Sequence, residues 1–199
     1  MRQREARAML GEEEISMSVA EHKALSPPPG GLRVALVTAS DSRTHADDEG
    51  GRVLRALAVE AGFGVVEAAL LREEPEALRA HVAALAASST VDAVVVTGGT
   101  GLAPRDRTPE AVGGLFERRL DGFGELFRAL SFAEIGAAAM LSRADAGVIG
   151  GVLVFLVPGS PAAVRLAMQR LIVPELAHAV GQLRRASSHG DGRDGHRAR

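Results

Sequence analysis

The chain of 199 residues carries a net charge of −2 at pH 7, which fits one domain with polar ends and gives no bias towards nucleic acids or membranes. Because it has no cysteine, disulfides, thiolate catalysis and cysteine-held metals are excluded, and a reducing cytoplasm is the expected compartment. Lys23 is the single lysine, so the folded part has neither a Walker lysine nor a Schiff-base lysine. No apolar run approaches the roughly 20 residues of a membrane span. We therefore expect no membrane or nucleic-acid partner.

Composition divides the chain into three parts. Residues 1–31 begin polar and acidic and end in Ser26-Pro27-Pro28-Pro29-Gly30-Gly31, which predicts a flexible N-terminal extension followed by a linker. Met17 could be an alternative start. Residues 186–199 are rich in Gly, Asp, Arg and His, which predicts a disordered tail. The folded domain is therefore predicted at 32–185.

Segments typical of strands and helices alternate along this domain. The predicted strands are 33–39, 65–71, 92–97, 144–149 and 152–157. Two of the predicted helices are 52–61 and 123–135. A third begins at Pro75, and a fourth has Thr108 as its N-cap and Pro109 at its first position. The fifth follows Pro161 and bends near Pro174. The early strand–helix–strand units predict parallel pairing, and Gly150-Gly151 predicts a hairpin between the last two strands. We therefore expect a three-layer α/β/α fold with a mostly parallel, mixed central sheet.

The third predicted strand ends in a loop with unusual composition. The loop contains Thr97, Gly98, Gly99, Thr100 and Gly101. A strand that stops at such a loop leaves backbone N–H groups free with no Cβ in the way, which is an arrangement that holds phosphate. Asp106 follows and offers hard oxygen ligands suited to Mg²⁺. A tight strand-to-helix connection is the alternative, whereas Pro104 argues against a dinucleotide fingerprint.

Polar side chains and glycines also follow the other predicted strands. These residues are Ser40, Asp41, Arg72, Glu73, Pro158, Gly159 and Ser160. If the strands are parallel, the loops share one edge of the sheet, where ligands of such sheets bind. Hydroxyls, carboxylates, arginines and glycine N–H groups together suit a polar, phosphorylated ligand.

Several of these residues also have a simpler structural interpretation. Asp106 could be a solvated loop residue or a cap, and Glu73 suits the N-terminus of the helix that follows it. Ser160 fits an ordinary N-cap. Three acidic residues could hold a metal: Asp41, Asp47 and Asp48. The favoured interpretation is that this polar loop caps the next helix. Four apolar residues are predicted to be core: Phe123, Phe127, Phe132 and Met140.

Together, these motifs resemble the MoaB/Mog family of molybdenum cofactor biosynthesis proteins over Arg33 to Leu183. The most specific signal is the loop Thr97–Gly101 followed by Arg105-Asp106 and Thr108-Pro109-Glu110. Further matching motifs are Ser40-Asp41-Ser42-Arg43-Thr44, Gly122-Phe123-Gly124-Glu125, Leu141-Ser142-Arg143 and Pro158-Gly159-Ser160-Pro161. Two segments look closer to MoaB-type members: Met17 to Lys23 and Ser131 to Gly136.

The resemblance implies binding of molybdopterin, a pterin dithiolene with a terminal phosphate, which Mog-type members adenylylate with ATP and Mg²⁺. The two acidic positions of that reaction fall on Asp106, which would also hold the Mg²⁺, and on Glu73. The implied substrate-binding residues are Ser40, Asp41, Thr97, Gly98, Gly99, Thr100, Gly101, Arg105, Ser142, Pro158, Gly159 and Ser160. Members of the family form homotrimers, and MoaB-type ones often pair these into homohexamers.

Two departures from the family pattern leave an alternative open. Active Mog-type members have Asp where this chain has Glu73, and a displacement of about 1 Å can cost roughly 100-fold in rate. Glu49 and Gly50 also replace positions that usually carry hydroxyls. The expected function is therefore molybdopterin binding with adenylylation by MgATP. The alternative is a non-catalytic carrier or regulator that binds molybdopterin or GTP, or an oligomer with an empty pocket.

Overall fold

The computed structural model describes residues 26–189, with side chains described as far as 185. The rest of the predicted N-terminal extension, 1–25, and of the predicted tail, 190–199, lies outside the described residues. The last helix continues to His189, past the predicted end of the domain at 185. No helix within 26–189 is both long and apolar enough to cross a membrane.

The described chain contains six strands and six α-helices. The strands are β1 (Arg33–Ala39), β2 (Gly64–Leu71), β3 (Ala93–Thr97), β4 (Arg118–Arg119), β5 (Asp145–Ile149) and β6 (Val152–Val157). The helices are α1 (Glu49–Glu60), α2 (Pro75–Ala87), α3 (Thr108–Gly113), α4 (Asp121–Ile135), α5 (Pro161–Ala167) and α6 (Val173–His189). Shorter turns are the 3₁₀ segments Pro29–Gly31 and Gly136–Leu141 and the π-helical turn Met168–Ile172. The predicted strands and helices are present, and β4 is an addition that the sequence did not predict.

The strands form one sheet in the order β2-β1-β3-β6-β5-β4. β1 pairs in parallel with β2 and β3, and β3 pairs in parallel with β6. β5 runs antiparallel to β6, because Gly150 and Gly151 adopt positive φ and close a hairpin, and β5 also pairs antiparallel with β4. The predicted mixed, mostly parallel sheet is therefore confirmed, and its four parallel strands end at one edge.

Helices cover both faces of the sheet, so each face has its own apolar core. One core contains Leu54 of α1, Phe127 of α4 and Leu176 of α6 against alternate strand residues. The other contains Leu78 of α2 and Val112 of α3. β3 is buried at every position because it lies between the two cores, as expected of a parallel strand covered on both sides. This packing fixes the positions of the loops at the carboxyl edge.

The ends of the helices differ in places from the sequence prediction. α1 begins at Glu49, three residues early, because Asp48 caps it by accepting the N–H of Gly51. Thr108 is the first residue of α3 and makes no capping bond, so its predicted role as N-cap was wrong. The predicted N-cap Ser160 is confirmed, since its hydroxyl accepts the N–H of Ala163. The C-terminal helix is interrupted before Pro174 by the π-helical turn.

Two of the four apolar residues predicted to be core are exposed. Phe123 and Phe127 are buried on the sheet side of α4, whereas Phe132 is 63 % exposed and Met140 is 76 % exposed. The physical reason is helical phase: nine residues separate Phe123 from Phe132, which at about 3.6 residues per turn puts them on opposite sides. Phe132, Ile135, Met140 and Leu141 form what we call the exposed apolar segment.

The buried carboxylate of Asp92 connects the start of the sheet to the last helix. Its Oδ2 accepts the N–H of Arg33 at 2.8 Å, and its Oδ1 accepts from Nη2 of Arg184 at 2.8 Å. Burial opposes ionisation of Asp92, but the hydrogen bonds from Arg33 and Arg184 outweigh it and hold the pKa of this carboxyl below its usual range. The ionised form is therefore part of the folded structure.

Replacing Asp92 with asparagine is expected to lower the free energy of unfolding at pH 7 by about 2 kcal/mol, because hydrogen bonds to a charged group are lost or weakened. A lowered pKa in the folded state means that the contribution is present above the unfolded pKa of about 3.9 and is lost as the pH falls further. Urea unfolding followed by circular dichroism at neutral and acidic pH measures this. The exposed Glu76→Gln is the control, and a wild-type advantage that persists unchanged at about pH 2 would contradict the prediction.

Candidate functional site

The glycine-rich loop after β3 requires glycine at two positions. Gly98 has φ +106°, and a Cβ there would lie 2.2 Å from the carbonyl oxygen of Ala39. Gly99 has φ +60°, and its Cβ would lie 2.4 Å from Oγ1 of Thr108. Both conformations are rare for residues with side chains. The backbone of the loop can therefore turn sharply after β3 and pack closely against β1 on one side and the start of α3 on the other.

Replacing Gly98 with alanine is expected to destabilise the protein by about 3 kcal/mol, because the new methyl group meets the backbone of β1 at a strained φ. The measurement is the midpoint of thermal or urea unfolding. Gly122→Ala is the matched control, since a Cβ at Gly122 has no atom within 4 Å. Equal stability of the two variants would refute the steric account.

The two threonines of this loop are buried. Thr97 is fully buried, and its Oγ1 donates a hydrogen bond to the carbonyl oxygen of Pro158 at 3.0 Å. Thr100 is 2 % exposed, and its carbonyl oxygen accepts the N–H of Arg143 at 3.1 Å. The hydroxyl of Thr97 therefore has a structural contact, and the predicted binding role of the two threonines stays a prediction. Thr97 ties the glycine loop to the loop that contains Pro158, Gly159 and Ser160.

Asp106 bends back onto its own loop. Its Oδ2 accepts the N–H of Ala103 at 3.0 Å, and the N–H of Asp106 donates to the carbonyl oxygen of Ala103 at 2.9 Å. A Cβ at Gly101 would lie 2.6 Å from Oδ2, so this glycine makes room for the carboxylate. The contact uses one of the two carboxylate oxygens and holds the side chain at the strand edge.

The carboxylate of Asp41 contacts three residues: Glu73, Arg105 and Arg72. Its Oδ1 accepts the N–H of Glu73 at 3.0 Å, and its Oδ2 lies 3.3 Å from Nη1 of Arg105. Nε of Arg72 lies 3.9 Å from Oδ1. The side chain of Arg105 is 76 % exposed, so its guanidinium lies at the rim of the site. Asp41 therefore positions Glu73 and Arg105, a role that the sequence did not distinguish from ligand binding.

Glu73 lies within the electric field of two other carboxylates. Burial, and then the charges of Asp106 and Asp41, raise the pKa of Glu73, against the opposing charges of Arg105 and Arg43. A raised pKa means that Glu73 loses its proton less readily than an isolated glutamate, and an approaching cation would offset this effect. The carboxylates of Asp41, Glu73 and Asp106 therefore lie near enough at the strand ends for their charges to interact, and we call these three residues the acidic cluster.

Arg143 holds the glycine loop from the other side and was not among the predicted site residues. Its Nε donates to the carbonyl oxygen of Gly101 at 3.0 Å, and its guanidinium also contacts the carbonyl of Asp106 and the carboxylate of Glu110. The signal in the sequence was the motif Ser142-Arg143, of which only the serine was selected. A guanidinium can reach several carbonyls at once, so it sets the shape of an irregular loop.

Arg43 is a second residue near the site that the sequence analysis did not select. Its Nη1 donates to the carbonyl oxygen of Gly159 at 3.0 Å and lies 3.4 Å from Oδ1 of Asp48. Ser40, at the head of the same loop, accepts the N–H of Arg43 at 3.2 Å. A Cβ at Gly50 would lie 2.5 Å from the carbonyl oxygen of Gly159, so glycine at this position allows α1 to approach closely. The loop after β1 is thereby joined to the loop after β6.

Ser142 precedes Arg143, which contacts the glycine loop. Its Oγ accepts the N–H of Ala144 at 3.4 Å, and the side chain lines a pocket of about 550 Å³. Pro109, Arg128 and Arg143 also line this pocket, whose volume is in the range of ligand pockets. The site thus has an acidic cluster and a separate pocket, and Arg143 contacts the glycine loop and also lines the pocket.

Comparisons with known proteins identify the family of the chain. Residues 35–178 match the family described as "Probable molybdopterin binding domain". The molybdenum cofactor biosynthesis protein B of Bacillus subtilis is 46 % identical over 170 residues, which are 85 % of this chain and 99 % of the relative. The Escherichia coli K12 protein of the same name is 48 % identical over 144 residues, which are 72 % and 85 %.

A solved structure gives the same result. The crystal structure of a molybdenum cofactor biosynthesis protein B superposes with a TM-score of 0.77 at 45 % identity, covering 80 % of this chain and 99 % of that one. Sequence and fold are therefore shared over nearly the whole folded part. The chain belongs to the MoaB/Mog family of molybdenum cofactor biosynthesis proteins, whose shared unit is a molybdopterin-binding domain.

Proposed function

We propose that the protein binds molybdopterin and transfers the adenylyl group of MgATP to its terminal phosphate. The observation that carries this proposal is the acidic cluster beside the glycine loop, with Arg105 ion-paired to Asp41 at its rim. Neighbouring carboxylates, next to backbone N–H groups and an arginine, suit the handling of phosphates together with a metal ion. The pocket that Ser142 lines is large enough to receive the pterin.

In the proposed reaction an oxygen of the molybdopterin phosphate attacks the α-phosphorus of ATP. A new P–O bond forms as the bond to the β-phosphate breaks, and pyrophosphate leaves with the electron pair. Arg105 would leave Asp41 to neutralise the charge that develops on the phosphates. Transfers of this kind depend on position and electrostatics rather than on a strong base.

The residues present fit a magnesium ion shared with the substrate. Within 26–189 no group of three or more acidic or histidine residues is placed to hold a metal. Mg²⁺ is commonly bound by one or two carboxylates together with substrate phosphates. Asp106 and Glu73 would hold the ion, which would supply charge neutralisation on the phosphates.

The test is to incubate the full chain with molybdopterin, MgATP and inorganic pyrophosphatase and to separate the products by chromatography. We expect adenylylated molybdopterin in amounts that grow with enzyme concentration. A yield equal to that of a reaction without protein would reject the adenylyltransferase.

A second candidate is a non-catalytic carrier or regulator, and Glu73 is the observation that favours it. A glutamate in place of aspartate puts the carboxylate further from its backbone, whose N–H is held by Asp41. Calorimetric titration with molybdopterin, ATP and GTP, each with Mg²⁺, distinguishes the candidates. Binding of molybdopterin or GTP by a protein that forms no adenylylated product would identify the carrier.

We also propose that the protein is a homotrimer or homohexamer in which the exposed apolar segment is covered by another copy. Its members, among them Phe132 and Met140, are more than half exposed or nearly so, and apolar surface of this kind commonly marks an interface. Light scattering should give about 62 kDa for three chains of 20.7 kDa or twice that value. Phe132→Glu should lower this mass, while Val59→Glu, at an equally exposed valine of α1, should not.

A further inference from the structure

A crevice outside the proposed site opens between α1 and the edge strand β2. It has a volume of about 190 Å³, and Leu36, Leu54 and Leu70 form an apolar floor. Pockets that enclose small molecules are commonly about 300–1,000 Å³. This crevice is smaller, so it fits one aliphatic side chain better than it fits a nucleotide or a pterin.

The strand beside this crevice has a free edge. β2 is the end strand of the sheet and pairs only with β1 within the described chain. The carbonyl oxygen of Leu71 accepts the N–H of Ser40, so Leu71 faces its neighbour strand. Because alternate residues of a strand direct their N–H and C=O groups to opposite sides, Ala68 and Leu70 direct theirs outward. These groups are available to a further strand.

The composition of β2 does little to prevent such pairing. Natural edge strands are commonly protected by lysine, proline, bulges or short length. β2 has eight residues and a single charged one, Glu67. The register shift opposite Val34 and Ala35 protects the first half of the strand, whereas Glu67 to Leu71 pair with β1 in unbroken register. The second half therefore remains open to a partner.

The rim of the crevice is positively charged. Arg52 and Arg55, which lie one turn apart on α1, line it together with His45. Neither arginine forms an ion pair or side-chain hydrogen bond with any other residue of 26–185. The nearby carboxylate of Asp48 is already used by Gly51 and Arg43. Two unneutralised cations beside an apolar floor favour a ligand that is both acidic and aliphatic.

We propose that this edge binds an extended acidic segment of a partner protein, which adds as a seventh strand beside β2. An aliphatic side chain of the segment enters the crevice, and a carboxylate two residues away on the same face meets Arg52 or Arg55. The backbone groups of Ala68 and Leu70 supply hydrogen bonds that do not depend on sequence, while the crevice and arginines supply specificity. This surface is separate from the proposed adenylylation and does not depend on it.

The test uses a fluorescein-labelled peptide with isoleucine and glutamate alternating on one face and threonine on the other, Ile-Thr-Glu-Thr-Ile-Thr-Glu. Fluorescence anisotropy at low ionic strength should show saturable binding to the full chain. The same peptide with lysine in place of glutamate should bind about tenfold more weakly or worse. Equal binding of both peptides, or binding of neither, would overturn the proposal.

Two further measurements distinguish strand addition from simple attraction between charges. N-methylation of the peptide at the residues whose N–H groups face β2 should abolish binding, whereas N-methylation at the alternate residues should not. The double variant Arg52→Glu, Arg55→Glu should weaken binding about tenfold, and Arg79→Glu on α2 should leave it unchanged. If both methylated peptides bind equally, the contact is not a strand.

The mass of the assembly distinguishes a partner protein at this edge from another copy of the chain. Light scattering of the double variant should equal that of the wild type, because the proposed occupant is a different protein. A change in mass would show that another copy of the chain covers this edge, and the proposal would then be wrong.

Discussion

Replacing Asp106 with asparagine is expected to lower the rate of adenylylation by about 100-fold or more while leaving the glycine loop folded. The amide oxygen of asparagine can still accept the N–H of Ala103. In the wild type this hydrogen bond joins the nitrogen of Ala103 to Oδ2 of Asp106 at 3.0 Å and holds the loop. What is lost is the negative charge that would hold Mg²⁺ against the phosphates. The rate of product formation and the unfolding midpoint, measured together, separate these two roles.

Asp47 offers a matched control for this variant. Its Oδ1 accepts the N–H of Thr44, three residues earlier, as Oδ2 of Asp106 accepts that of Ala103. Asp47→Asn therefore removes a carboxylate charge from a similar turn outside the acidic cluster and should leave the rate unchanged. An Asp106→Asn variant as active as Asp47→Asn would show that Asp106 has no part in the chemistry. Asp106→Ala should lose both the rate and some stability.

Replacing Glu73 with aspartate is expected to raise the rate of adenylylation by about 100-fold. The backbone N–H of Glu73 is held by Asp41 at 3.0 Å, so the variant would keep its backbone while the carboxylate moves by about the length of one methylene group. Single-turnover kinetics with saturating MgATP measure the effect. If the wild type already adenylylates rapidly and Glu73→Asp is no faster, the hypothesis of a non-catalytic carrier is rejected.

Glu73→Gln controls for the charge and should be slower than the wild type. Burial, together with Asp106 and Asp41, raises the pKa of Glu73, so its ionised form is lost as the pH falls through a value above the ordinary glutamate pKa of about 4.3. If the ionised form is the active one, the wild-type rate should fall over this window, and Glu73→Gln should not show the same fall. A wild type that is inactive and an active Glu73→Asp would support the carrier instead.

The local elements of the fold could be predicted because their causes lie close together in the chain. The valine run of β3 is buried on both faces, Gly150-Gly151 closes the hairpin, and Ser160 caps α5. Glycines at 98 and 99 mark the loop because no other residue fits their φ and their neighbours. The resemblance to the family rested on these same motifs.

The site contacts between distant segments could not be predicted in the same way. Asp41 and Glu73 are 32 residues apart, and Arg143 meets Gly101 across 42 residues. Such pairs form only when parallel strands bring their loops to one edge, and the sequence does not say which polar side chain will reach which partner. Arg143 and Arg43 were missed for this reason, and the hydroxyl of Thr97 was expected to face a ligand rather than Pro158.

The sequence by itself determined the alternation of strands and helices, the glycine turn after β3 and the family, because each depends on local backbone preference or on motif order. The tertiary structure decided which residues of the predicted site contact one another and which residues are buried. It buried the threonines, made Asp41 the partner of Glu73 and Arg105, and placed Phe132 and Met140 at the surface. The physical reason is that packing of helices against the sheet fixes the rotation of each helix and the approach of each loop, and these depend on the whole core.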